Sequence, residues 1–185
     1  RNLALFLTGL YLSRKVHLSL IVRKWPTAGK VPSLVNRLRR FLDNRRVSVR
    51  EYYRPVAESL VSAFRGLPIR LIVDTTKLGF DARLLTVSIA YRRRALPLAW
   101  SVHRGPKGWV AVKEQIALLR QVAELIPKGS EVWLLGDCEF QHVPLLFWLK
   151  KQGWHYVLRQ QGKVHVWQPG QAQISLADYG LQEGE

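Results

Sequence analysis

Residues 69–74 read Ile-Arg-Leu-Ile-Val-Asp, and residues 131–137 read Glu-Val-Trp-Leu-Leu-Gly-Asp. Each is a short apolar run that ends on an aspartate, the pattern of a buried central strand that delivers a carboxylate to the edge of a sheet. Between them, residues 84–91 form a second strand pattern. Arg92, Arg93 and Arg94 stand where a tight turn belongs, and residues 95–102 make a third strand whose Pro97 calls for a bulge or a sheet edge. Three strands joined by short connections give an antiparallel meander. Val112, Ile116, Leu119 and Ala123 then recur at helical spacing and Pro127-Lys-Gly-Ser130 stops them, so the strand at 131–135 returns through a helix and runs parallel to an earlier one. A further helix over 143–151, ended by Gly153, leads to a fifth strand at 154–159. The fold class is therefore α/β, with a mixed sheet.

Working outward toward the N-terminus, the pattern becomes helical and basic. Leu18, Ile21, Val22 and Trp25 share a helical face, as do Leu34, Val35, Leu38 and Leu42, and later Val56, Leu60, Val61 and Phe64. Ser33 after Pro32 reads as an N-cap. Residues 1–66 hold 14 basic and three acidic side chains, a surplus of 11 within the +16 of the whole chain. Such a surplus suits a polyanionic partner, with Arg37, Arg39 and Arg40 crowded on one helix. A helix-turn-helix-like unit and a basic bundle that does not read bases both satisfy this pattern. Beyond Gln161, turn-forming pairs and short alternations such as 164–167 indicate hairpins. Three regions result: 1–66, helical and basic; 67–161, the sheet; 162–185, the beginning of a β-rich part.

Composition excludes several classes. The 185 residues are 48% hydrophobic, enough for a full core, so the chain is neither disordered nor collagenous. One cysteine, Cys138, cannot form an internal disulfide, and the five histidines lie at no zinc-ligand spacing from it, which fits a reducing cytoplasmic compartment. The apolar stretch 2–13 is short of the roughly 20 residues that a bilayer requires. It is followed by Arg14 and Lys15 without a small-residue cleavage site, so neither a membrane helix nor an export signal is expected. A chain that opens on Arg1 and holds no methionine reads as a fragment.

Asp74 and Asp137 are the candidate catalytic and metal-binding residues. If their strands are neighbours, two like charges meet at the sheet edge, and a divalent cation relieves their repulsion. Carboxylate oxygens select Mg²⁺ or Mn²⁺, ions that in pairs stabilise attacking and leaving oxygens in phosphodiester cleavage. For each aspartate alone, capping of the following turn is the simpler role; the ordered pair favours chemistry.

Strand-Asp (L-I-V-D-T-T-K-L), meander, helix, E-V-W-L-L-G-D-C-E-F, apolar helix and W-H-Y-V-L-R together resemble the DDE transposases of bacterial insertion sequences, in the cut-and-paste group with a helical N-terminal DNA-binding domain. The resemblance runs from about residue 18 to 161. It implies a ribonuclease H-like fold preceded by a small helical domain, Mg²⁺ dependence, double-stranded DNA at transposon ends as partner, and two copies assembling on that DNA in a cytoplasmic, nucleoid-associated setting. It also implies cleavage and strand transfer by in-line attack of water or a 3′ hydroxyl, with Asp74 and Asp137 as two of three acids. The family's third, a glutamate in a Y-x-x-R-x-x-x-E-type helix, has no counterpart here: Tyr179 lacks the arginine, and Glu183 and Glu185 sit in a short polar end. Cys138 replaces an arginine often found after the second aspartate. Arg92, Arg93, Arg94, Arg104 and Lys107 flank the sheet as candidates for holding the DNA backbone.

Two other readings compete. An aspartyl-phosphate phosphohydrolase would use Asp74 as nucleophile, but it calls for an acid where Thr76 stands. A DNA-binding remnant with inert carboxylates predicts salt-sensitive binding without a metal response. Nucleotide-loop motifs are lacking.

Overall fold

The structure, a computed structural model, describes residues 1–79, 81–105, 110–167, 169–170 and 172–179. The chain divides into two compact units, Arg1–Tyr52 and Tyr53–Glu185.

The first unit is built from α1 (Asn2–Ser13), α2 (Leu18–Val22) and α3 (Val31–Leu42), together with the first residues of α4 (Val49–Ser62). The apolar stretch 2–13 is thus a packing helix. Ile21, Val22, Trp25, Leu34 and Leu38 form the core, and Leu5, Phe6 and Leu10 of α1 close over it. Gly9 is buried where α1 meets α2; a Cβ there would stand 2.5 Å from the Ile21 carbonyl oxygen and 2.9 Å from Trp25 Cδ1. α3 begins earlier than expected. Lys30 is its N-cap residue and Pro32 lies in the first turn, where its missing N–H costs nothing, so Ser33 is inside the helix and caps nothing.

Composition placed the boundary after residue 66, whereas the division falls before Tyr53. The reason lies in α4, whose Ala57 and Val61 are buried in the second core with Tyr53, Leu60 and Phe64 against it, while Val56 of the expected stripe is exposed.

In the second unit, β1 (Ile69–Gly79), β2 (Ala82–Tyr91), β3 (Arg94–Arg104), β4 (Val132–Gly136) and β5 (His155–Leu158) form one sheet in the order β3-β2-β1-β4-β5. β1–β2 and β2–β3 are antiparallel; β1–β4 and β4–β5 are parallel, reached through α5 (Val112–Ala123) and α6 (Val143–Gln152). Meander, crossovers and strand order are those of a ribonuclease H-like fold. Alternation sorts the side chains: Ile69, Leu71, Val73, Leu85, Val87, Ile89, Val132 and Leu134 are all buried on one face, in a cluster with Leu118, Leu119 and Val122 of α5 and Leu145 and Leu149 of α6. Arg70, Ile72 and Asp74 point the other way and are less covered. Pro97 meets both expectations at once. β3 is an edge strand, and its pairing with β2 shifts between Val87↔Ala99 and Ser88↔Pro97, leaving Leu98 as the extra, buried residue of a bulge.

One strand differs from its reading. β1 does not end at Asp74 but continues to Gly79, because the Thr-Thr-Lys tract that follows is paired with β2 (Thr75↔Leu85, Thr76↔Leu84, Lys77↔Arg83). What ends near Asp74 is the pairing with β4. After β5 a small hairpin of β6 (His165–Val166) and β7 (Ile174–Ser175) leads to a 3₁₀ turn at Leu176–Tyr179.

Candidate functional site

The parallel pairing of β1 with β4 runs from Ile69↔Val132 to Ile72↔Leu135, a constant offset of 63 residues. The same offset carries Asp74 to Asp137. Gly136 shows that the strands stay together to that point: a Cβ on it would lie 2.9 Å from Val73 Cγ1, on the buried face. Asp137 follows directly after β4 in extended conformation (φ −85°, ψ −170°), while Asp74 lies within β1 on the face opposite its buried residues, and both are exposed. Glycine before the second aspartate is thus a packing requirement, since any side chain would wedge β1 from β4 beneath the carboxylates.

Both carboxylates are exposed, and among the described residues neither has a cationic partner. In a chain with a charge of +16, two exposed acids without an ion-pair partner among the described residues are conspicuous. Among the described residues Asp74 Oδ2 accepts from Thr76 Oγ1, at 3.4 Å, and its backbone carbonyl accepts from Thr86 Oγ1. Asp137 Oδ1 accepts from the Glu139 backbone N–H at 2.9 Å, capping the 3₁₀ turn Cys138–Phe140. The capping role is therefore real for Asp137, while Asp74, inside a strand, caps nothing.

Among the described residues no group of three or more His, Cys, Asp or Glu side chains is arranged to hold a metal ion. A two-carboxylate set of oxygen donors suits Mg²⁺, which keeps several waters and takes one or two protein carboxylates plus substrate phosphates; it does not suit a closed zinc site.

The basic candidates fall into separate places. Arg37 is half-buried and committed within the first unit: Nε and Nη2 donate to Asn2 Oδ1 at 3.1 and 2.7 Å, and the guanidinium lies over the Trp25 ring. Arg39 and Arg40 are exposed. Arg92 and Arg93 form a two-residue turn closed by Tyr91↔Arg94, with Arg92 at φ 49° and its guanidinium over Tyr91. Asp74 is opposite Thr86, five positions before Tyr91, so this turn sits about 16 Å along the strands from the carboxylates, too far to grip the same phosphate. Arg104 is paired with Ala82, toward the other end of the hairpin. Lys107 lies outside the described residues, as do Glu183 and Glu185.

Two residues near the acids escaped the sequence reading. Arg159 donates its backbone N–H to Gly136 O, and the β4–β5 offset of 22 sets it at the strand position beside Asp137, exposed and with no side-chain partner among the described residues. Its signal was simply the last letter of W-H-Y-V-L-R. Glu139 is buried at 7% exposure, its Oε1 accepting from Val110 N–H at 2.9 Å and Thr75 Oγ1 at 3.2 Å. An acid two residues after a capping aspartate reads as solvent-facing until the turn is seen to fold inward.

The fold is that of a ribonuclease H-like domain, preceded in sequence by a basic helical unit. Neither a protein-family model nor a curated protein sequence matches the chain. A chain in the crystal structure of the Mos1 strand transfer complex is similar at 11% identity over 84% of this chain, with a TM-score of 0.31; this chain spans 57% of that one.

Proposed function

We propose that the chain is part of a DNA transposase, acting in metal-dependent strand cleavage and transfer at transposon ends. The observation that carries this reading is the β1–β4 pairing, whose offset of 63, continued two positions past Ile72↔Leu135, would bring the exposed Asp74 and Asp137 opposite one another. The basic surplus of the first 66 residues supports a DNA partner. Asp74 and Asp137 hold the divalent ions, which when bound supply Lewis acidity for in-line attack on a phosphodiester. Arg159, beside Asp137, holds the scissile phosphate from the β5 side, and Arg39 and Arg40 bind the DNA backbone. Asp137 remains a ligand while capping, since its Oδ2 is not used by the turn.

Titration with Mn²⁺, followed by calorimetry, tests the pair. Asp74→Ala and Asp137→Ala each weaken binding about tenfold or more if the carboxylates share an ion; unchanged affinity in both overturns the site. With the third acid of the resemblance lacking, residues 1–185 alone cleave DNA weakly or not at all in Mg²⁺, and robust nicking contradicts that account. The second reading, a DNA-binding module with inert acids, draws on the capping bond of Asp137 and predicts no metal response in the same titration.

A further inference from the structure

Buried carboxylates are costly unless donors satisfy them, so a glutamate held inside a fold calls for a reason. Glu139 has two donors from segments distant in sequence: Thr75 Oγ1, 64 residues away on β1, and the N–H of Val110, 29 residues away just before α5. Val110 is fixed on its other side as well, its carbonyl accepting from Nε2 of the fully buried Gln115. Meanwhile the peptide N–H of Glu139 itself holds Oδ1 of Asp137. One residue thus grips, through its side chain, the neighbour of Asp74 in sequence, and through its backbone the carboxylate of Asp137. Any shift of Glu139 changes the relation between the two aspartates.

The geometry points to Glu139 as a positioning residue that locks the Asp137 carboxylate against the Asp74 strand in a metal-ready arrangement. This inference rests on the proposed two-aspartate site. The role assigned to Glu139 is not that of a ligand, because its Oε1 is committed to Thr75 and Val110. Groups that orient ligands in this way govern affinity at a distance from the ion, loss of one costing about 10- to 100-fold.

The test is calorimetric Mn²⁺ titration of the whole chain, with thermal melts as a folding control, on wild type, Glu139→Gln, Glu139→Ala, Thr75→Val, Asp74→Ala and Asp137→Ala. Glutamine keeps an oxygen for Val110 N–H and Thr75 Oγ1 and retains affinity near that of wild type, whereas Glu139→Ala weakens it about 10- to 100-fold in the folded protein. Thr75→Val, which removes one donor and little else, weakens it to a smaller extent and carries the test should Glu139→Ala not fold. Wild-type affinity in folded Glu139→Ala or in Thr75→Val overturns the positioning role and leaves Glu139 as packing alone. Equal loss in Glu139→Gln and Glu139→Ala also overturns it, because the charge and not the hydrogen bonds then matters. Failure of the underlying site looks different: the aspartate variants then bind Mn²⁺ as wild type does, and the positioning role falls with it.

Discussion

Gly136 shows how one missing side chain sets the spacing of a site. Alanine there would meet Val73 at 2.9 Å, Phe140 at 3.0 Å and Leu158 at 3.1 Å, all of them packed side chains in the second core or against it. Gly136→Ala is expected to cost about 1–3 kcal/mol by overpacking, read as a lower urea midpoint, and to weaken Mn²⁺ binding by spreading β1 from β4. Tyr53 offers a titratable counterpart. Its hydroxyl donates to the Pro97 carbonyl at 2.7 Å and its ring meets Trp100 edge-on, while burial pushes the phenol above its ordinary value of 10.0. The folded state therefore holds the proton more tightly than the unfolded chain. This contribution is whole below about pH 10 and is lost as pH rises through the folded pKa. Tyr53→Phe is expected to cost about 1 kcal/mol at neutral pH and to flatten the fall in melting temperature above about pH 10; an unchanged alkaline profile contradicts this.

At the scale of elements, α3 separates two uses of arginine on one helix. Arg37 ties α3 to Asn2 of α1 and covers Trp25, whereas Arg39 and Arg40 stand free in solvent. Arg37→Ala is expected to destabilise the protein by about 1–2 kcal/mol, the worth of a charge-assisted hydrogen bond, in thermal or urea melts. Arg39→Ala and Arg40→Ala are expected to leave stability within about 0.5 kcal/mol while weakening duplex DNA binding in fluorescence anisotropy. The periodicity of the sequence marked all three residues alike as a basic crowd. Only the fold distinguishes the one turned back to its own unit, because a guanidinium whose acceptor, Asn2, belongs to another helix has no local signature. The same holds for the β2–β3 turn, whose arginines were legible as a turn but not as lying a strand's length from the acids.

For the whole molecule, the surplus of +16 makes ionic strength the controlling variable. Affinity for duplex DNA is expected to fall about a thousandfold between roughly 50 and 200 mM salt if about six phosphates are neutralised. A flat response contradicts the DNA-binding assignment. Among the described residues no helix is long and apolar enough to cross a membrane. The chain instead closes two cores. The smaller draws its buried residues from 21–38 and the larger from 57–149, and α4 runs from one unit into the other in sequence, which no change of composition marks.

The sequence by itself determined most of the elements and their sense: period-two runs and apolar runs for the five strands, period-3.6 runs for α2 to α5, a proline for the bulge, and a helical crossover that forces β4 parallel, while the apolar stretch of α1 carried no helical period. It determined also that two strands carry aspartates 63 residues apart. These are local properties, written in neighbouring residues. Tertiary structure alone decided that β4 lies beside β1 with that same offset of 63, that β1 runs on past Asp74, and that Glu139 turns inward to Thr75 and Val110 while Arg159 arrives beside Asp137. Which strand becomes a neighbour, and which polar group finds a buried partner, depends on contacts between residues distant along the chain. Periodicity carries no record of those contacts.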